Sequence, residues 1–303
     1  MSEDCNGNEA DTSRCASCGV AGTDEEVKLK DCSACHLVKY CGVECQKGHR
    51  KQHKKECKKR AAELRDELLF KQPESSCFGD CPICCLPMLD EEKSSLEVCC
   101  SKMICNGCVV ANMIREEKGR LQQKCLFCRK PTPKTREEID KRNMKRVEAN
   151  DPVAIYREGT VQSNKGNHKR AFEFYARAAA LGRFEAHAKL AYMYRFGRGI
   201  ESDEGKSIHH LEEASIGGHP RARNMLGNYE YMNGNIERAV RHWIIAATQG
   251  EEMSMQYLLD AFKSGSVEKD VLAATIRAHK AAVDAMKSPQ REEAKKKKYR
   301  VHW

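Results

Sequence analysis

The sequence predicts a mixed fold: two small zinc-built modules followed by an all-α solenoid. Three observations carry that prediction. All 18 cysteines lie between Cys5 and Cys128, most of them in Cys-x2-Cys pairs, the spacing of metal ligands. The rest of the chain is rich in Ala, Leu, Tyr and Gly at helical spacing. Within it, a motif ending in glycine recurs at Gly182, Gly217 and Gly250, a period of about 35 residues that suits stacked helix pairs.

Composition frames the reading. A chain of 303 residues holds two or three domains at roughly 150 residues each. Lys and Arg number 53 against 44 Asp and Glu, a net charge of +9. No stretch approaches the roughly 18–20 apolar residues of a membrane span. Met1 to Asp11 are polar and acidic, so no secretory signal and no membrane association are expected. A cytoplasmic or nuclear location follows, where clustered cysteines bind metal instead of pairing as disulfides. The first 130 residues or so offer few large apolar side chains, so metal must supply what a core cannot.

After a flexible N-terminus (1–14) comes the first module, residues 15–57. It contains Cys15-x2-Cys18, Cys32-x2-Cys35, Cys41-x3-Cys45 and His53-x3-Cys57, enough donors for two closed tetrahedral sites. Residues 46–72 read as helix, with His53 and Cys57 on one face. This order, with Tyr40 before Cys41, resembles the MYND zinc finger. The resemblance implies interleaved sites: Cys15, Cys18, Cys41 and Cys45 on one zinc, and Cys32, Cys35, His53 and Cys57 on the other. His49 and His36 stay outside the ligand set. Arg50 stands where MYND fingers with a proline-peptide groove carry Trp, so the resemblance extends to the fold and not to that specificity.

Residues 58–76 are read as a connecting helix, stopped by Pro73. Its neighbouring basic run, Lys54, Lys55, Lys58, Lys59 and Arg60, is expected to be a solvated face and not a nucleic-acid patch. Ala62, Leu64, Leu68 and Leu69 predict one apolar stripe.

The second module, 77–133, carries Cys81-x2-Cys84, Cys99-Cys100, Cys105-x2-Cys108 and Cys125-x2-Cys128. Cys5, Cys77 and Cys85 remain unassigned. The pattern resembles a RING finger with cysteine at every ligand position. That resemblance implies Cys81, Cys84, Cys105 and Cys108 on one zinc and Cys99, Cys100, Cys125 and Cys128 on the other. Lys102 occupies the usual histidine position and cannot ligate; the adjacent Cys99 and Cys100 restore the donor count. RING-type ligases position reactants without a nucleophile of their own. By the same resemblance, Ile83 and Pro131 would contact a ubiquitin-conjugating enzyme, and Arg129 would bond both that enzyme and ubiquitin. Leu126 stands where proline is frequent.

A second connecting helix is expected over 134–151, opened by the capping box Thr135-x-x-Glu138 and ended by Asn150-Asp151-Pro152. In 152–287, Ala178-Ala179-Ala180-Leu181-Gly182 is matched with Glu213-Ala214-Ser215-Ile216-Gly217 and Ala246-Ala247-Thr248-Gln249-Gly250. Gly197, Gly199 and Asp203 complete the best copy, and the pattern resembles Sel-1-like repeats, relatives of the tetratricopeptide repeat. Stacked helix pairs would bury Phe172, Tyr175, Tyr192 and Trp243. Residues 251–287 would close the array, and 288–303, with Lys295 to Lys298, would be a flexible basic tail.

The expected function is a RING-type ubiquitin ligase or ligase adaptor that binds four zinc ions. Its solenoid would recruit a protein substrate or peptide. The alternative is a non-enzymatic zinc-finger scaffold for protein–protein interaction, including a nuclear regulator.

Overall fold

The computed structural model describes residues 13–22, 27–88 and 93–297. Cys5, Lys298 and most of the segment 1–14 lie outside these residues. The chain divides into two compact units, residues 1–71 and 72–303.

In the first unit β1 (Lys30–Asp31) pairs antiparallel with β2 (Lys39–Tyr40), and α1 (Val43–Leu69) follows. Its core is Cys15, Cys32, Cys35 and Tyr40, edged by Leu29 and Val38. So few apolar side chains cannot hold a unit of this size without metal. α1 is continuous across position 57, so the expected finger and connector share one helix. The Phe70 N–H closes its last turn on the Asp66 carbonyl at 2.9 Å, ahead of Pro73. Lys54, Lys55, Lys58 and Lys59 are exposed, and Arg60 pairs with Glu63 and Glu67 at 3.2 and 2.9 Å. The expected apolar stripe does not form as drawn: Leu69 is buried, whereas Ala62 and Leu68 are exposed. Adjacent helical residues diverge by about 100°, so Leu68 and Leu69 cannot share one face.

The second unit begins with the second finger. β3 (Ser94–Glu97) pairs antiparallel with β4 (Lys102–Cys105), Ser94 opposite Cys105, and α2 (Asn106–Lys118) follows directly. Cys81, Met88, Ile104, Cys105 and Cys108 form its core, with Phe78 and Leu126 packed on it.

The helical part runs α3 (Arg136–Glu148), α4 (Pro152–Asn164), α5 (His168–Ala180), α6 (Phe184–Phe196), α7 (Glu204–Ile216) and α8 (Pro220–Met232). It continues through α9 (Ile236–Thr248), α10 (Glu252–Lys263), α11 (Lys269–Ala285) and α12 (Pro289–Lys296). Helix starts follow local chemistry. Thr135 Oγ1 accepts from the Glu138 N–H at 3.2 Å, and the Glu138 carboxylate accepts from the Lys134 N–H at 3.0 Å. Asp151 caps α4 with Pro152 at its first position, and Asp203 caps α7. Asn143 of α3, 1% exposed, donates to Glu158 of α4 at 3.2 Å, and Gln162 donates to the same carboxylate at 2.8 Å.

α4 packs with α5, α6 with α7 and α8 with α9, and each pair rests on the next. Ala178, Ala214 and Ala246 are fully buried, and their carbonyls accept from the Arg183, His219 and Glu251 N–H groups just past each pair. Between them the chain reverses at Gly182, Gly218 and Gly250, with φ of 83°, 82° and 90°. The second turn glycine is therefore Gly218, one residue later than the sequence alignment placed it. Gly217 is the ordinary helix cap at φ −71°.

Small residues set the helix spacing. A Cβ at Gly227 of α8 would lie 2.5 Å from the indole of Trp243 on α9. Trp243 Nε1 donates to Asn228 Oδ1 at 3.0 Å. Tyr175 and Trp243 are each 3% exposed, and Phe172 packs at the core edge. Tyr192 departs from expectation at 44% exposure. Leu190, Ala191 and Met193 take the inward positions of α6, while Tyr192 packs on Phe196 outside.

The segment from Ser288, expected to be flexible, instead contains α12. Ser288 Oγ accepts from the Arg291 N–H at 3.2 Å, Pro289 opens the helix, and α12 packs against α2. Among the described residues no helix is long and apolar enough to cross a membrane.

Candidate metal centres

Sixteen side chains converge into four clusters. These are Cys15, Cys18, Cys41 and Cys45; Cys32, Cys35, His53 and Cys57; Cys81, Cys84, Cys105 and Cys108; and Cys99, Cys100, Cys125 and Cys128. Within each, the donor atoms lie within 4.8 Å of one another. The two clusters of each finger interleave along the chain, the arrangement that the resemblances implied.

The spacings identify the chemistry. Sulfur pairs in the first unit stand 3.6 Å (Cys18–Cys41), 3.5 Å (Cys41–Cys45) and 3.8 Å (Cys32–Cys57) apart. In the second finger they stand 3.9 Å (Cys81–Cys108), 3.7 Å (Cys84–Cys105) and 3.8 Å (Cys100–Cys125) apart. A disulfide would need about 2.05 Å. Zinc–sulfur bonds of about 2.3 Å give a tetrahedron edge of about 3.8 Å. In the one mixed cluster, His53 Nε2 lies 3.1 Å from Cys35 Sγ.

One local turn builds four of the half-sites. Gly19, His36, Cys85 and Arg129 each follow the second cysteine of a pair, with φ of 75°, 55°, 55° and 61°. Their N–H groups donate to the carbonyls of Cys15, Cys32, Cys81 and Cys125 at 2.9, 3.0, 2.8 and 3.0 Å. The N–H of each first cysteine donates in turn to Val20, Val38, Leu86 and Lys130 at 2.8, 2.8, 3.0 and 2.8 Å. This turn aims both thiols of a pair at one point. Only Gly19 advertises it in sequence, because three of the four left-handed positions carry a side chain.

The remaining donors come from helices and a hairpin. Cys45, His53 and Cys57 ride on α1, and Cys108 lies in the first turn of α2. Cys99 and Cys100 occupy the turn between β3 and β4, where Ser101, at φ 53°, donates its N–H to Glu97 at 2.8 Å. That tight turn lets two adjacent cysteines serve one cluster. Lys102 is not a donor; its ammonium lies 5.3 Å from the centre of the Phe127 ring. His49 lies outside the cluster and supports it: its Nδ1 lies 3.2 Å from the Tyr40 hydroxyl, and its ring stacks on His53 at 5.7 Å.

Backbone dipoles prepare some thiols for ionisation. The Cys105 N–H donates to Cys81 Sγ at 3.4 Å; at Cys125 the Phe127 and Cys128 N–H groups, also at 3.4 Å, only partly offset burial, which pushes that thiol up to about 12. The Cys105 side chain, with the N–H groups of Cys105, Cys84 and Ile83, outweighs burial and brings the Cys81 thiol down to about 4. Burial, then the neighbouring Cys32 and Cys35, pushes Cys57 up to about 12. A cluster of this kind cannot carry several thiolates unless a cation shares the site. Donor type, spacing and charge all fit zinc, with four protein donors per site and no position left for water.

The residues assigned to partner contact lie on the surface of the second finger. Ile83 is 41% exposed, and Arg129 and Pro131 are exposed. The Pro131 carbonyl accepts from Arg142 of α3 at 2.6 Å. Phe127 of the same finger, which the sequence pattern does not single out, is 47% exposed. Leu126 packs inward on the finger's core.

The geometry thus defines a protein of two interleaved zinc fingers and a helical-repeat solenoid. Residues 4–57 match the MYND finger family, and residues 154–182, 184–219 and 220–251 match the Sel1 repeat. The chain accordingly carries a MYND finger and Sel1 repeats, and the three repeats coincide with the pairs α4–α5, α6–α7 and α8–α9. Neither match reaches the second finger. No curated protein matches the chain. Among solved structures, a Sel1 repeat protein from Oxalobacter formigenes is 24% identical, covering 49% of this chain and 66% of its own, with a TM-score of 0.43. The protein c5321, a protective antigen of uropathogenic Escherichia coli strains displaying an SLR fold, is 21% identical. That match covers 57% of this chain and 38% of the other, with a TM-score of 0.39. This chain spans less than two thirds of the length of either.

Proposed function

We propose that the chain is a protein-interaction scaffold in which zinc shapes two binding surfaces and the Sel1 repeats hold a further protein or peptide. The observation that carries this reading is the closed donor set of every cluster. A metal with four protein donors builds structure and leaves no site for substrate. The exposed Ile83 and Phe127 supply apolar anchors for a partner on the second finger. A Phe127→Asp variant should lose partners recovered by the wild type while keeping its zinc and its melting temperature. Identical recovery by both proteins would count against the assignment of this surface.

The finer reading is a RING-type ubiquitin ligase or ligase adaptor, cytoplasmic or nuclear. The interleaved clusters of the second finger and the exposure of Ile83, Arg129 and Pro131 favour it. Discharge of ubiquitin from a panel of charged conjugating enzymes tests it. Ile83→Ala should weaken enzyme binding by about 1–2 kcal/mol. Arg129→Ala should slow discharge with enzyme binding intact. Absence of discharge with every conjugating enzyme would leave the scaffold alone.

A further inference from the structure

Helix α12 rests on both halves of one metal cluster. Arg291 Nη1 donates to the Pro87 carbonyl at 2.8 Å and to the Met286 carbonyl at 2.9 Å. Its Nη2 donates to the Leu86 carbonyl at 3.0 Å and lies 3.7 Å from Cys84 Sγ. Leu86 belongs to the turn that orients Cys81 and Cys84, since its carbonyl also accepts the Cys81 N–H at 3.0 Å. The other half of the cluster is Cys105 and Cys108, which flank Gly107. A Cβ on Gly107 would lie 2.8 Å from the Arg291 backbone nitrogen and 2.9 Å from its Cα. The contact is therefore backbone against backbone at the start of α2. Ala294, 6% exposed, is the buried residue of α12.

Four thiolates around one divalent ion leave a net negative site, and a guanidinium at its edge offsets that charge. Hydrogen bonds to the carbonyls of the ligand turn fix that turn's shape. Outer contacts of both kinds commonly change metal retention 10–100-fold, in order of magnitude.

We infer that Arg291 is an outer support of the Cys81, Cys84, Cys105 and Cys108 site, so that metal occupancy there and docking of α12 stabilise one another. The coupling is reciprocal by thermodynamic necessity: metal loss frees α12, and undocking α12 loosens one ion of the four. It goes beyond the scaffold reading and holds whether or not the finger acts as a ligase.

The test uses the full chain loaded with zinc. Native mass spectrometry follows ion loss to a chelator, alkylation with peptide mapping identifies the cysteines released, and amide exchange reports on residues 286–297. With Arg291→Ala, one ion should leave roughly tenfold faster or more, Cys81, Cys84, Cys105 and Cys108 should be the first of the sixteen ligands to become alkylated, and α12 should lose protection. Ala294→Glu, which undocks the helix without altering a group beside the cluster, should reproduce all three effects. Arg291→Lys should fall between wild type and Arg291→Ala, because it keeps charge and loses the fork. Wild-type release of all four ions from both Arg291→Ala and Ala294→Glu would overturn the coupling. So would equal acceleration of all four, or α12 mobility with no change in metal release.

Discussion

The rings of Phe78 and His219 lie 5.4 Å apart, tilted by 60°, and join the second finger to the turn between α7 and α8. The backbone reinforces the contact: the Cys77 N–H donates to the Gly218 carbonyl at 3.2 Å. A Cβ on Gly218 would lie 2.6 Å from the Ser75 carbonyl oxygen, so only glycine admits this approach. His219 also caps α8, its Nδ1 accepting the Ala222 N–H at 3.2 Å. That acceptor role requires a neutral ring, and burial, then the charges of Lys189 and Arg221, push the group down to about 4.

Acid should loosen this junction. Burial also lowers His187, brings His210 down to about 4 and brings His242 down to about 3. Such groups bind protons more readily when unfolded. Their stabilising contribution is complete above about pH 6.5, the ordinary value, and is lost as pH falls towards 4. Melting temperature followed by circular dichroism should decline across that window. His219→Gln should flatten part of the slope without changing the zinc count; an unchanged slope would remove His219 from the account.

Metal removal should act unequally on the second unit. Native mass spectrometry should count four zinc ions, and a chelator should unfold the finger. The helical signal of the repeats should persist with a lower melting temperature. The lowering arises because the finger braces the helices: Arg146 of α3 donates to Ser101 at 2.5 Å, besides the contacts of Cys77 and Phe78. Complete loss of helicity on chelation would mean that the repeats do not fold without the metal.

Relief of turn strain should distinguish a spare cysteine from a ligand. Cys85 is exposed at φ 55°, a conformation costing a side chain roughly 1–2 kcal/mol. Cys85→Gly should therefore stabilise the finger by up to about 1 kcal/mol in denaturant titration and leave four zinc ions bound. Loss of an ion would make Cys85 a ligand after all.

The repeat core should be intolerant of a single methyl group. Gly227→Ala would push a Cβ into the Trp243 indole and should cost about 1–3 kcal/mol. Shifted tryptophan fluorescence should accompany the lowered stability, because the bond from Trp243 to Asn228 is displaced with the ring.

Much of this fold is legible in the sequence because zinc ligands and helix caps are local signals. The cysteine pairs and the His53-x3-Cys57 pair stand out by spacing, their interleaved grouping is what the MYND resemblance implies, and Thr135 with Glu138 marks a helix start by its own side chains. What escapes is set by contacts between distant segments. Tyr192 occupies a helical position that reads as core, yet Ala191 and Met193 already fill the inward face of α6. Gly217 and Gly218 are indistinguishable by composition, and only the chain reversal selects the second. Residues 289–296 read as polar tail because their order depends on Gly107 and Pro87, some 200 positions earlier in the chain.

The shared turn at Gly19, His36, Cys85 and Arg129 bears on how such fingers change over time. A left-handed residue ordinarily demands glycine, yet here the metal bonds of the two cysteines just before it outweigh that preference by many kilocalories. The position is thereby released from conformational selection and can carry a cation, an imidazole or a thiol at the tip of a rigid loop. A metal that enforces backbone shape lets surface chemistry be rewritten one residue at a time, while the fold underneath stays the same.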